Sequence, residues 1–154
     1  MEYSTIRGIS VVFDGYDFHL TKLFDGINLT DFLWYITNSE VYWQEDVNED
    51  LLAPGVYDGC TLLSILKKSP CHMIHARIFA VPIGANLLVN KIDDYVDFLE
   101  SNCEIGILCA DCIAEVYVKS QNLLGYIIEN GQKHYKSSML FITDANDART
   151  SFYI

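Results

Sequence analysis

The pattern of hydrophobic and polar positions predicts a chain built mainly from strands. The densest stretch is residues 31–45, DFLWYITNSEVYWQE, where two aromatic and β-branched runs flank Asn38-Ser39. A turn at that dipeptide predicts a β-hairpin in which Trp34 faces Trp43. Because an isolated hairpin is only marginally stable in water, we expect other elements to pack on it.

Six further stretches rich in β-branched and aromatic residues predict strands. They cover residues 5–13, 72–82, 104–109, 113–119, 138–143 and 150–154. The connection Ala110-Asp111-Cys112 is short, and the pattern leaves open whether the strands on either side form a tight hairpin or one bulged strand.

Four segments place apolar residues at helical spacing, and they cover residues 18–24, 60–68, 91–101 and 121–130. Asp58, Asn90 and Ser120 are predicted to cap the last three of these helices, and Gly131 is predicted to end the fourth. The third helix is predicted to bury one stripe and to turn its aspartates to solvent. The stripe is Ile92, Tyr95, Val96 and Leu99, and the aspartates are Asp93, Asp94 and Asp97.

The order of these elements predicts one α+β (or α/β) domain spanning residues 1–154. We expect a mixed, mostly antiparallel sheet with about four helices packed on it. The length of 154 residues is usual for one domain, and 51% hydrophobic residues suffice for a core. No break in composition indicates a linker.

Net charge is −11 and is unevenly distributed along the chain. Residues 1–60 hold 11 acidic and two basic side chains, whereas residues 61–154 hold ten acidic and eight basic ones. This balance argues against binding nucleic acid through its phosphates, which requires clustered Lys and Arg. It permits an acidic surface that meets a basic surface on a protein partner. The alternative is that the acidity only keeps the protein soluble.

Residues 44–58 form the most acidic segment and are predicted to be an exposed loop, a kind of segment that often carries function. The predicted partner site has an aromatic centre, Tyr42 or Trp43, because interfaces favour aromatic anchors within a polar rim. The predicted rim consists of Glu45, Asp46, Glu49 and Asp50.

Five cysteines, with no secretory signal pattern near Met1, predict reduced thiols and a cytoplasmic protein. No apolar stretch has the roughly 20 residues of a membrane helix. Cys71, His75, Cys109 and Cys112 could together supply the four ligands of a zinc site. Their apolar neighbours at strand positions favour buried, metal-free cysteines, so we predict no cofactor.

No catalytic motif for a nucleophile, a P-loop, a metalloprotease or a dinucleotide fold is present. The sequence therefore favours a non-enzymatic, acidic protein-binding module of the inhibitor, immunity or anti-defence type. A zinc-dependent or thiol-dependent enzyme and a DNA mimic are the alternatives.

Three segments carry a resemblance to a known family: RGISVVF at residues 7–13, LWYITNSEVY at 33–42 and ITDANDART at 142–150. In this order they resemble an uncharacterised family of small acidic bacterial proteins, domain of unknown function 2691. The resemblance covers nearly the whole chain and implies a single bacterial cytosolic domain. It implies no activity and no site residues.

Overall fold

The computed structural model describes residues 6–12, 20–43, 53–67, 71–85, 92–110 and 113–143, with side chains for all of these except 38–43 and 71–74. Within these residues the strands are β1 (Ile6–Val12), β2 (Phe32–Trp43), β3 (Gly55–Asp58), β4 (Cys71–Pro82), β5 (Ile105–Ala110), β6 (Ile113–Val118) and β7 (Leu140–Thr143). The helices are α1 (Leu20–Leu23), α2 (Gly59–Lys67), α3 (Tyr95–Glu100) and α4 (Gln121–Tyr135), with a 3-10 turn at Leu29–Asp31.

The strands form one sheet in the order β3-β2-β4-β5-β6-β1-β7. Each pairing among the described strands is antiparallel. The α+β class predicted from the pattern is therefore confirmed. β5 and β6 pair as a hairpin with Ala110 opposite Ile113, which resolves the alternative that the sequence left open.

The predicted hairpin at Asn38-Ser39 is wrong, because β2 runs through that dipeptide as one strand. Trp34 lies opposite Ala80 of β4, and Trp43 lies opposite Cys71 at the other end of the same pair of strands. β4 is as long as β2 and offers backbone partners along its whole length. Register shifts beside Asn38 and after Glu40 accommodate the dipeptide as an irregularity in the ladder.

The predicted loop at residues 44–58 is wrong at its end, where β3 pairs with residues 33–36 of β2 and forms one edge of the sheet. Residues 44–52 lie outside the described residues. The predicted cap of α2 is confirmed, because Asp58 Oδ1 accepts a 2.7 Å hydrogen bond from the Thr61 backbone N–H. The predicted cap at Asn90 is wrong, because the third helix begins at Tyr95 and its N-cap is Asp94. The start of the first predicted helix and the predicted strand at 150–154 lie outside the described residues.

The main core lies between one face of the sheet, here called the inner face, and the layer of α1, α2 and α4. Trp34, Ile78, Ile107 and Val116 are buried from the sheet side, and Leu23, Leu62, Leu124 and Ile127 are buried from the helices. The Trp34 indole Nε1 donates a 3.0 Å hydrogen bond to the Leu29 carbonyl, which satisfies the polar atom of a side chain that is 1% exposed.

α4 begins as predicted but does not end at Gly131. The Ser120 hydroxyl accepts a hydrogen bond from the Leu123 N–H, which confirms the predicted cap. The helix continues to Tyr135, and Gly131 is buried within it. A Cβ at Gly131 would lie 2.7 Å from Ile9 Cδ1, so the missing side chain allows close packing on β1 and does not stop the helix.

Candidate functional site

The second core lies on the opposite face of the sheet, here called the outer face. Phe79, Leu108 and Tyr117 point from the sheet into this core, and Phe98 of α3 packs against them. Residues 92–103, which we call the α3 segment, complete the cluster with Ile92 and Cys103. This outer face gathers aromatic and charged side chains from four parts of the chain, and it is the candidate functional site.

The local sequence explains why α3 is short and where it begins. Asp94 is the N-cap, and its Oδ1 accepts a 2.8 Å hydrogen bond from the Asp97 N–H. Asp97 Oδ2 in turn accepts a bond of 3.0 Å from the Asp93 N–H. The first bond satisfies a backbone donor that the helix start leaves open, and the second ties the residue before the N-cap to the first turn. At the other end, the Ser101 hydroxyl donates to the Phe98 carbonyl at 2.7 Å.

The predicted apolar stripe of this helix is wrong in part. Phe98 is fully buried, whereas Val96 is 59% exposed and Leu99 is 49% exposed. Gly106 of β5 makes the difference, because a Cβ there would lie 3.3 Å from both the Phe98 and the Phe79 rings. The missing side chain lets the Phe98 ring approach the sheet, and a helix of six residues then has its opposite side turned to solvent.

Three cations from the sheet hold the α3 segment, and we call them the cation clamp. The Arg7 guanidinium lies 4.2 Å from the centre of the Tyr95 ring. Arg77 donates to the Ile92 carbonyl, and Lys119 Nζ donates to the Ser101 carbonyl at 2.6 Å. Lys119 Nζ also lies 5.2 Å from the centre of the Phe98 ring, and burial lowers the pKa of this ammonium group.

A short polar connection lies beside the clamp. The Tyr117 hydroxyl donates to Glu115 Oε2 at 2.7 Å, and the Tyr117 ring lies 5.7 Å from the ring of Tyr95. Burial raises the pKa of the Cys103 thiol at the end of the α3 segment, so this cysteine favours its neutral form. This cluster supplies packing and fixed charge, and it contains no paired nucleophile and base among the described residues.

The α3 segment carries negative charge, whereas the cation clamp carries positive charge. Residues 92–103 contain four carboxylates and no Lys or Arg. Asp93 and Glu100 are exposed, and Asp97 is half-buried. The clamp cations are all half-buried beneath the segment. The exposed side of α3 therefore combines two apolar side chains, Val96 and Leu99, with nearby carboxylates at Asp93 and Glu100.

The partner-binding residues predicted from the sequence lie mostly outside the described residues. Tyr42 and Trp43 belong to the last part of β2, opposite His72 and Cys71 of β4. Glu45, Asp46, Glu49 and Asp50 fall in residues 44–52, which the structure does not describe. Their grouping into a site stays a prediction.

The surface of α3 was missed because its aspartates were interpreted as an ordinary solvated helix face. One feature of the sequence could have found it. Asp94 and Asp97 have the spacing of an N-cap with its partner, which moves the helix start to Tyr95 and brings Phe98 to the buried side. Val96 and Leu99 then lie on the outward side.

The four residues considered for zinc are not brought together as far as they are described. Cys109 lies opposite Ala76 in the main core, whereas His75 lies opposite Ala110 on the outer face. Neighbouring strand residues point to opposite faces, so the sheet separates the Cys109 and His75 side chains. Among the described residues no group of three or more His, Cys, Asp or Glu side chains could hold a metal ion.

A small pocket opens on the inner side of the molecule, between the turn after α1 and helix α2. Its volume is about 240 Å³, and it is lined by Phe24, Leu29 and Leu63 with Asp25 and Lys67 at its rim. Typical ligand pockets have about 300–1,000 Å³ and a few converging polar groups. The outer face is therefore the stronger candidate.

Together the fold and the site define an α+β protein with a seven-stranded antiparallel sheet and an acidic segment clamped on its outer face. The family described as "Protein of unknown function (DUF2691)" matches residues 6–153, and the chain belongs to this family. This confirms the resemblance inferred from the three sequence segments.

A similar relative is "Uncharacterized protein YncE" of Bacillus subtilis (strain 168). It is 27% identical over an alignment of 154 positions that covers 96% of this chain and 99% of that protein. No solved structure gives a significant match. Among the described helices, none is both long enough and apolar enough to cross a membrane.

Proposed function

We propose that this protein is a non-enzymatic, acidic protein-binding module that occludes a basic surface on a protein partner, as inhibitors, immunity proteins and anti-defence proteins do. The observation that carries the proposal is the arrangement of charge on the outer face. Three of the ten basic side chains are engaged beneath the α3 segment, while Asp93 and Glu100 of that segment are exposed.

This arrangement matters because an acidic surface attracts a basic partner only where neighbouring cations do not neutralise it. Arg7 and Lys22 are the two basic residues among the first 60, and Arg7 belongs to the cation clamp. Uncompensated charge of one sign steers a complementary protein and raises its association rate by roughly 10- to 1,000-fold.

The residues from Tyr42 to Asp50 are a second acidic surface in the proposal, because they hold the densest charge of the chain next to two aromatic residues. Tyr42 or Trp43 would lie near the centre of the contact, and Glu45, Asp46, Glu49 and Asp50 would form its rim. Rim charges act mainly on association and central aromatics mainly on dissociation.

The experiment has two stages. The full chain is immobilised, basic proteins retained from a Bacillus lysate are identified, and each is purified and tested for direct binding. Association rates are then measured at two salt concentrations for the wild type and for a variant with lysine at positions 45, 46, 49 and 50. We expect the variant to associate more slowly and with weaker salt dependence. A salt-independent wild-type rate, or no direct binding by any retained basic protein, would refute the proposal.

Two further measurements separate the alternative functions. If duplex DNA competes with the chain for the purified partner, the module is a DNA mimic. The double variant Cys109→Ser, Cys112→Ser is expected to bind the partner as the wild type does. Loss of biological activity in that variant, with the fold retained, would favour the enzyme.

A further inference from the structure

We infer that the exposed side of α3 is the docking surface of this module, and that its occupant is a basic amphipathic helix on the partner protein. This inference rests on the proposed function and names the surface and the chemistry of the partner. The centre of the surface consists of Val96 and Leu99, which we call the α3 ridge.

The ridge is an apolar surface that the described part of the chain leaves uncovered. Val96 and Leu99 are three residues apart on the helix, so their side chains are neighbours on one side of it. They are 59% and 49% exposed, while Phe98 on the opposite side is fully buried. Phe98 therefore anchors the helix on its buried side, and Val96 and Leu99 form a second apolar surface on its exposed side.

The ridge is also held in place before any partner arrives. Asp94 caps the helix start, Ser101 closes its end, and the cation clamp fixes the segment at Tyr95, Ile92 and Ser101. A surface that is already ordered loses little conformational entropy on binding. This property distinguishes a docking element from a loosely attached surface helix.

Charge decides the kind of occupant. The carboxylates that flank Val96 and Leu99 along the chain, Asp93, Asp97 and Glu100, give this surface a single sign of charge in a segment without Lys or Arg. A partner must therefore offer apolar side chains within a ring of cations, which a basic amphipathic helix does. A nucleic acid would be repelled, and so would a second copy, since a symmetric contact would place the carboxylates of the two copies against each other.

The probe is a peptide of about 18 residues made of leucine and lysine in an amphipathic helical pattern. It is titrated into the isotope-labelled full chain and followed by NMR at the methyl groups. We expect saturable shifts centred on Val96 and Leu99. A peptide of the same composition with a scrambled pattern should bind about tenfold more weakly, because it presents the same charge without an apolar side.

Matched variants test the two parts of the surface. The double variant Val96→Ser, Leu99→Ser should weaken peptide binding about tenfold. Its control is Val56→Ser, Ile113→Ser, at positions 58% and 47% exposed on β3 and β6, which should bind as the wild type does. Asp93→Lys with Glu100→Lys should abolish the salt dependence of binding. Asp25→Lys with Glu129→Lys changes the net charge equally at exposed positions elsewhere and should retain it.

The inference is overturned if the ridge variant binds the peptide like the wild type, or if the shifts lie away from α3. A natural basic partner that binds both ridge variants and the wild type equally would also overturn it, and would leave the proposed function standing. If the peptide binds at the ridge while no basic protein binds the chain, the proposed function fails and the preference of the ridge for basic amphipathic helices holds.

Discussion

Replacing Trp34 tests how β2 is paired. The indole is 1% exposed and packs edge-on against the rings of Phe24 and Phe32, with centres 5.7 and 5.9 Å away. Removing such a ring from a core costs about 3–5 kcal/mol. For a domain whose whole stability is about 5–15 kcal/mol, Trp34→Ala should therefore remove a substantial fraction of it.

A milder change, Trp34→Phe, separates packing from hydrogen bonding. It keeps most of the ring but removes the 3.0 Å bond to the Leu29 carbonyl. The Leu29 carbonyl also accepts a hydrogen bond from the Phe32 backbone N–H, so it keeps one donor when the indole is removed. We therefore expect a cost of about 1–2 kcal/mol, near the lower end for a buried hydrogen bond with some lost packing.

The assay is urea unfolding followed by far-UV circular dichroism, with stability taken from the midpoint at constant slope. A double-mutant cycle of Trp34→Phe with Trp43→Phe then tests the register. The two residues are nine positions apart on one strand, about 30 Å, so their effects should add within about 0.5 kcal/mol. Coupling well above that, or no loss of stability for Trp34→Ala, would refute this account of β2.

Three further predictions follow from single contacts. Gly59→Ala should destabilise the fold by about 3 kcal/mol, because the new Cβ would lie 2.1 Å from the Leu29 carbonyl oxygen. The control Gly125→Ala has open space around the new Cβ and should stabilise the fold by about 0.5–1 kcal/mol. Equal urea midpoints for the two variants would contradict the packing at Gly59. The pKa of Asp58 is held below its ordinary value of 3.8, chiefly by the hydrogen bond from the Thr61 N–H, so its contribution to stability is complete above that value and is lost as pH falls through the lowered folded-state pKa. The difference in urea midpoint between wild type and Asp58→Ala should therefore shrink in acid. A constant difference from pH 7 to pH 2 would contradict this role of Asp58. Thiol titration of the native protein should label exposed Cys60 rapidly and buried Cys103 and Cys109 slowly. In denaturant all five cysteines should titrate as free thiols, and a metal assay should find no stoichiometric zinc. One zinc per chain would support the zinc site considered above, whose ligands would be Cys71, His75, Cys109 and Cys112.

Much of the fold followed from local patterns. The extents of β1, β4, β5 and β6 were predicted to within about two residues, because β-branched residues and turn residues act over a few neighbouring positions. The caps at Asp58 and Ser120 were predicted for the same reason. A side-chain oxygen three residues before a backbone N–H needs no tertiary partner to make its bond.

The errors have a common cause in contacts between distant parts of the chain. Asn38-Ser39 can form a turn or continue a strand, and pairing with the long strand β4 stabilises the extended conformation. Gly131 can end a helix or allow close packing, and in this fold it lies within the helix, close to Ile9 of β1.

For the candidate site, the sequence by itself determined an excess of carboxylates, a short helix with aspartates at its start, and the supply of apolar residues within it. Only the tertiary structure decided which residues face outward. Gly106 opens space for Phe98, and Arg7, Arg77 and Lys119 converge from separate strands to hold the segment. The physical reason is that a pattern along the chain records local conformational preference, whereas the buried side of a helix depends on the surface it meets.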